Sequence, residues 1–222
     1  TILRAYRAKD DGDEVVRLKI YRRNGPLALS KLIPTIENLG LDVVQESGHQ
    51  VTPQNADPMW IHDFHTVQSK ELAVALEEVK ETFEDTILAV LNGDAEDDGF
   101  NALVLTAGVS WREAWLLRAA AKHHQQAGFS YSPAYMEEAL GKHPAIAREL
   151  VSAFHARFNP AGPQKIEQRQ KDVADADGRV LEALNDVESL DEDRIIRRFL
   201  NLFSAITRTN YYQRASKKAF KP

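Results

Sequence analysis

The sequence predicts an α+β chain, with a four-stranded antiparallel sheet and two helices over residues 1–92 and an all-helical segment over residues 93–222. Three observations carry this. Up to about residue 69, apolar residues fall in short β-rich runs bounded by clusters of Gly, Pro, Asp and Asn, as strands do. Beyond that point they recur only at helical spacing. Between the first two runs, Asp10-Asp11-Gly12-Asp13 is a turn-forming cluster whose glycine can take a positive φ, so the pair reads as a hairpin.

The elements follow in order. Ile2 to Ala8 and Val15 to Tyr21 are the hairpin strands, and Asn24-Gly25-Pro26 breaks the second. Leu29, Leu32, Ile33, Ile36 and Leu39 then mark a helix that Pro34 shortens or kinks and Gly40 stops. Leu41 to Val51 and Met59 to Val67 are two more strands. A long helix from Ser69 presents Leu72, Leu76, Val79, Phe83, Ile87 and Val90 on one face and ends at Gly93. This is the order of a βαββαβ ferredoxin-like unit whose last strand has moved to the front, since first and last strands are neighbours in that unit. Further on, Ser110-Trp111-Arg112-Glu113 is a capping box opening a helix to Gly128, and Ser132-Pro133 and His143-Pro144 open two more. After Asn159-Pro160-Ala161-Gly162-Pro163, a polar helix from Gln164 to Val187 has Ile166, Val173, Val180 and Val187 seven apart, which predicts a narrow seam. Ser189-Leu190-Asp191-Glu192 is a second capping box, before an apolar helix through Ile206 that the tail continues.

Composition bounds the function. The chain has 222 residues, 28 basic against 33 acidic side chains and a net charge of −5, which speaks against a nucleic-acid or anionic-membrane partner. It has no cysteine, hence no disulfide, thiolate metal site or cysteine nucleophile, and a reducing, cytoplasmic setting suits it. No apolar run reaches the roughly 18 residues of a membrane helix. The chain opens at Thr1 and closes at Lys221-Pro222 without a terminating element, which predicts a piece of a longer protein. Its eleven glycines form neither G-x-G-x-x-G nor a phosphate loop, so no nucleotide-binding residue is expected within it.

Each chemical cluster has a plainer reading beside it. In Trp60-Ile61-His62-Asp63-Phe64-His65 the two histidines are three apart, so a strand places them on opposite faces and no metal is expected. Asp94-Ala95-Glu96-Asp97-Asp98-Gly99 resembles the start of a calcium loop, but Leu105 stands where the bidentate Glu belongs, so an acidic helix-capping turn is the better account. Arg208, Arg214, Lys217, Lys218 and Lys221 make a tail of +5 with Tyr211, Tyr212 and Phe220 interleaved. Docking on an acidic neighbour explains that tail better than nucleic acid does. At Arg22, Arg23, Asn24, Gly25 and Pro26, two guanidiniums, a glycine and a helix start would suit a small carboxylate such as an amino acid. A simple strand-to-helix turn with exposed arginines is the alternative. No catalytic constellation can be argued from spacing.

Several longer runs carry a resemblance. Asn92-Gly93-Asp94-Ala95-Glu96-Asp97-Asp98-Gly99-Phe100-Asn101, then Leu103 to Glu113, Ser189 to Leu202 and Arg208-Thr209-Asn210-Tyr211-Tyr212-Gln213 resemble the bacterial large NAD-dependent glutamate dehydrogenases. So do Pro26 to Ser30, Glu37 to Leu41 and Trp60 to Phe64. The resemblance implies a parent several-fold longer that converts L-glutamate to 2-oxoglutarate and ammonium with reduction of NAD. Within that parent the chain would be the last ACT-like module and a helical segment, ending near the start of the catalytic domain. It implies no catalytic and no cofactor-binding residue here, NAD in the parent only, and the catalytic domain of the same parent chain as partner. ACT modules bind amino acids between their first strand and first helix and pair sheet to sheet, which implies an amino-acid effector at Asn24, Gly25 and Pro26 and a homo-oligomer.

Overall fold

Strands β1 (Ile2–Tyr6) and β2 (Val15–Arg23) form the expected hairpin, in register from Ile2 opposite Tyr21 to Tyr6 opposite Arg17. The structure is a computed structural model that describes residues 1–23, 25–54, 57–69 and 75–213. Gly12 does not take the positive φ expected of it, because the connection is long and Asp11 holds it instead. The Asp11 carboxylate accepts the Ala8 N–H and the Arg17 Nε and Nη2, each at 2.7 Å. The bidentate Arg17 guanidinium pulls that carboxyl down to about 2.

Helix α1 (Leu29–Glu37) contains Pro34 and is nine residues long. Leu39 and Gly40, the latter at φ +84°, turn the chain into β3 (Leu41–Val51), which pairs with β4 (Met59–Gln68). The sheet order is β1-β2-β4-β3 with every pair antiparallel. Because β2 and β3 both oppose β4, they run parallel, and α1 crosses between them as a split β-α-β unit. This is the permuted ferredoxin-like order that the sequence predicts.

Alternation decides which face is covered. Val16, Leu18 and Ile20 of β2 and His62, Phe64 and Thr66 of β4 are buried, together with Leu3 and Ala5 of β1. Leu32 and Ile36 of α1 and Leu76, Val79, Phe83 and Ile87 of α2 (Leu76–Asn92) complete that core. A fully buried side chain of this size contributes about 1.5–3 kcal/mol, so the packed face dominates the stability of the sheet. Helix α2 starts later than predicted. Ala75 is extended at φ −60°, ψ 145°, and Ser69 N–H is used by the Gly40 carbonyl at 3.0 Å. The predicted Leu72 lies outside the described residues. Gly93, at φ +77°, ends α2 in the left-handed conformation, as predicted.

The chain divides into two compact units, residues 1–115 and 116–222. The first continues past residue 92, because Val104 and Leu105 of α3 (Leu103–Thr106) are buried in the core of the sheet. Helix α4 (Trp111–Gln126) follows the first capping box, which is made in full: Ser110 N–H and Oγ–H meet Glu113 Oε2 at 2.6 and 2.8 Å, and Glu113 N–H meets Ser110 Oγ at 3.3 Å.

In the second unit α5 (Pro133–Lys142), α6 (Pro144–Phe158), α7 (Ile166–Ala183) and α8 (Leu190–Ala205) enclose Met136, Leu140, Leu150, Phe154, Ile195, Ile196, Phe199 and Phe203. The predicted seven-residue seam on α7 is corrected. Ile166 is exposed, and the buried row is Ala176, Val180 and Leu184, four apart. Arg157 with Asp177, and Arg179 with Glu149 at 2.8 Å, tie α7 to α6 along that row. A second correction concerns the tail. Helix α8 stops at Ala205, where Ile206 is extended, and Tyr211 folds back with its ring 5.3 Å from that of Phe154. The basic residues Arg214, Lys217, Lys218 and Lys221 lie outside the described residues. Among the described residues no helix is long and apolar enough to cross a membrane.

Candidate functional site: the end of the central strand

The strand ends just before the predicted break, two residues beyond the predicted Tyr21. β2 runs on through Arg22, opposite Trp60, and Arg23, opposite Met59. Successive strand residues face opposite sides, so Arg23 shares its face with Tyr21 while Arg22 continues that of Ile20. Neither guanidinium has an ion-pair or hydrogen-bond partner among the described residues. Both line one depression of about 410 Å³ with Thr1, Ile2, Tyr21 and Met59. Of the five predicted residues, Arg22 and Arg23 border this depression, their side chains on opposite faces of the strand. Gly25 and Pro26 do not line this depression, and Asn24 lies outside the described residues. Gly25 sits at φ +103° with open space around its Cα, so backbone conformation and not crowding requires glycine there.

The helix start next to this turn is less free than the sequence implies. Leu27 N–H donates to His62 Nε2 at 3.1 Å. With Nε2 accepting, the neutral ring carries its hydrogen on Nδ1, which donates to Glu46 Oε1 at 2.8 Å. His62, only 4% exposed, thus fastens the strand-to-helix turn to β4 and β3. Sequence reasoning separated His62 from His65 on opposite faces but missed this role. The missing signal is a bulge in β3 between Val43 and Gln45, which leaves Val44 60% exposed and shifts the alternation by one residue. Without it Gln45, and not Glu46, would oppose Phe64 on the covered face.

The other clusters fall into structural work. His65 lies on the face away from His62, and Asp63 pairs with Lys19 at 3.4 Å. In the acidic turn, Asp97 accepts the Thr35 hydroxyl at 2.6 Å and Asn38 Nδ2 at 2.9 Å, and Asp98 caps Phe100 N–H at 3.1 Å. Among the described residues no group of three or more His, Asp or Glu is placed to hold a metal ion.

Replacing His62 by Phe keeps a flat aromatic ring, slightly larger, and removes both bonds. The half-buried Leu27 N–H and Glu46 carboxylate then lack partners, at an expected cost of about 2 kcal/mol. Amide exchange checks it: Leu27 should accelerate strongly while Ile20, in the centre of β2, follows only the global change.

An antiparallel sheet of this order, covered on one face by two helices and continued by a helical segment, defines an ACT-type module joined to an all-α region. The family descriptions agree segment by segment. Residues 1–79 match "Glutamate dehydrogenase, ACT3 domain", residues 95–160 match "Glutamate dehydrogenase, helical motif 3", and residues 179–222 match "Bacterial NAD-glutamate dehydrogenase, catalytic domain". The chain belongs to the bacterial NAD-glutamate dehydrogenases. It is 39% identical over 212 residues to the NAD-specific glutamate dehydrogenase of Pseudomonas aeruginosa, 37% over 219 to that of Halomonas elongata and 35% over 207 to that of Mycobacterium tuberculosis. These alignments cover 96%, 99% and 91% of this chain but 13% of each relative.

Proposed function

We propose that the chain is the non-catalytic, regulatory or assembly-forming part of a NAD-dependent glutamate dehydrogenase. The parent reaction is L-glutamate with NAD and water to 2-oxoglutarate, ammonium and NADH, in a cytoplasmic setting that a cysteine-free chain suits. The observation that carries this is the order of the three matches, ACT domain, helical motif, then catalytic domain over residues 179–222 only. NAD does not fit the residues present. The β2-to-α1 turn has a single glycine, and Leu27 N–H, a donor that a phosphate would need, is bonded to His62. NAD therefore belongs to the remainder of the parent. The partners follow: the catalytic domain of the same chain, further copies of the parent, and an amino-acid effector at the depression that Arg22 and Arg23 border.

Three measurements test this. The purified 222-residue chain should give no glutamate-dependent NADH, and turnover would overturn the proposal. Calorimetric titration with the common amino acids should give heat that Arg22→Met with Arg23→Met abolishes. Heat in neither protein rejects the effector and leaves the assembly role, which sedimentation of the parent with and without residues 1–115 reads out.

A further inference from the structure

The second capping sequence is only half made. Ser189 Oγ accepts Glu192 N–H at 3.4 Å, but the Glu192 carboxylate does not turn back to Ser189 as Glu113 turns back to Ser110. Instead its Oε1 accepts Lys142 Nζ at 3.0 Å and its Oε2 accepts His143 Nε2 at 2.7 Å. Glu192 is 7% exposed, so this carboxylate has little water to fall back on. His143, then Lys142, hold its carboxyl below the usual range. His143 is the one residue between α5 and α6, at φ −122°, ψ 61°, and its side chain caps neither helix. Beside it the Tyr131 hydroxyl donates to Asp191, the residue before Glu192. All three donors come from residues 131–143, inside the helical-motif match, and both acceptors from the first turn of α8, inside the catalytic-domain match.

We infer that Glu192 is a coupling latch, through which the α5–α6 break and the first turn of α8 order and open together. The physical reason is asymmetry. While both sides are seated the carboxylate has donors from α5 and from the break, and the Glu192 N–H rests on Ser189 Oγ. If either side moves, a buried charge loses its partners, so neither element opens cheaply without the other. A disturbance of the helical motif thereby reaches the segment that begins the catalytic-domain match. The inference concerns this chain's own residues and stands whether or not the proposed regulatory role does.

Amide exchange on the 222-residue chain tests it. Glu192→Gln should accelerate exchange of the Ala147 amide, which bonds the His143 carbonyl, at least tenfold. His143→Gln should do the same for the Asp193 amide, which bonds the Ser189 carbonyl. The double variant should be no faster at either amide than the more severe single variant, as residues acting as one unit require. Acceleration confined to the substituted element, or rate increases that multiply in the double variant, would overturn the latch. If Glu192→Gln fails to fold, Glu192→Asp keeps the charge and withdraws it by one methylene. Its effect should again appear on both sides, and an effect confined to α8 rejects the inference.

Discussion

Acidification from about pH 6.5 to about pH 4 is expected to cost the helical unit about 2 kcal/mol more in the native chain than in His124→Phe. His124, on α4, is 4% exposed, with its ring 5.7 Å from that of Phe129 and 5.3 Å from the edge-on ring of Phe199. Its Nε2 has no hydrogen-bond partner among the described residues. Burial first, then the charges of His123 and Arg198, push its pKa from 6.5 down to about 4, against a weaker opposing pull from the Arg198 carbonyl. The sign follows from proton counting. The unfolded chain takes up a proton near 6.5, whereas the folded chain refuses it until about 4. Between those values folding must expel a proton, so stability falls as pH falls, and below 4 this group adds no further slope. The full shift corresponds to roughly 1.4 kcal/mol per pH unit. His123 and Arg198 are exposed, so solvent screens their share, and about 2 kcal/mol is what burial leaves. Denaturation midpoints followed by helical circular dichroism across this window provide the check. Parallel pH curves for native and His124→Phe chains would refute it.

Truncating Phe64 to Ala should destabilise the first unit by about 3–5 kcal/mol. Phe64 is fully buried at the centre of β4, opposite Leu18 on one side and Glu46 on the other, with its ring 6.3 Å from that of His62. Removing it opens a cavity between sheet and helices that the flanking strands, fixed by ladders on both sides, cannot close. Against a typical total of about 5–15 kcal/mol, that is a large share. Trp60, Trp111 and Trp115 are the chain's three tryptophans and all lie in residues 1–115, so their fluorescence in a urea titration reports this unit. A shift below about 1 kcal/mol would mean that Phe64 is not the keystone of the packed face.

Much of this architecture is legible before any coordinates. The runs that became β1 to β4, the left-handed stops at Gly40 and Gly93, the box of Ser110 with Glu113 and the permuted strand order all depend on interactions within a few residues or between adjacent segments. The two arginines were legible as a pair of guanidiniums before a helix start, but not as residues of β2. What reading alone got wrong has a common character. The start of α2, the buried row Ala176, Val180 and Leu184, and the end of α8 at Ala205 each depend on which distant surface the segment meets. Propensity and periodicity do not contain that information.

Glu113 and Glu192 put the division most sharply. Both stand third after a serine that caps a helix, and the local pattern assigns both to the same bond. Glu113 makes it, its Oε2 accepting the Ser110 N–H and Oγ–H at 2.6 and 2.8 Å. Glu192 does not, because folding brings a lysine and a histidine fifty and forty-nine residues away to within 3.0 and 2.7 Å. His62 follows the same rule, since a bulge that no pattern announces turns Glu46 toward it. The sequence by itself determined the elements, their order and the family, because short-range energies settle those. The tertiary structure alone decided the partners of Glu192 and His62, because a buried donor or acceptor takes the strongest partner within reach, and reach is a property of the folded chain.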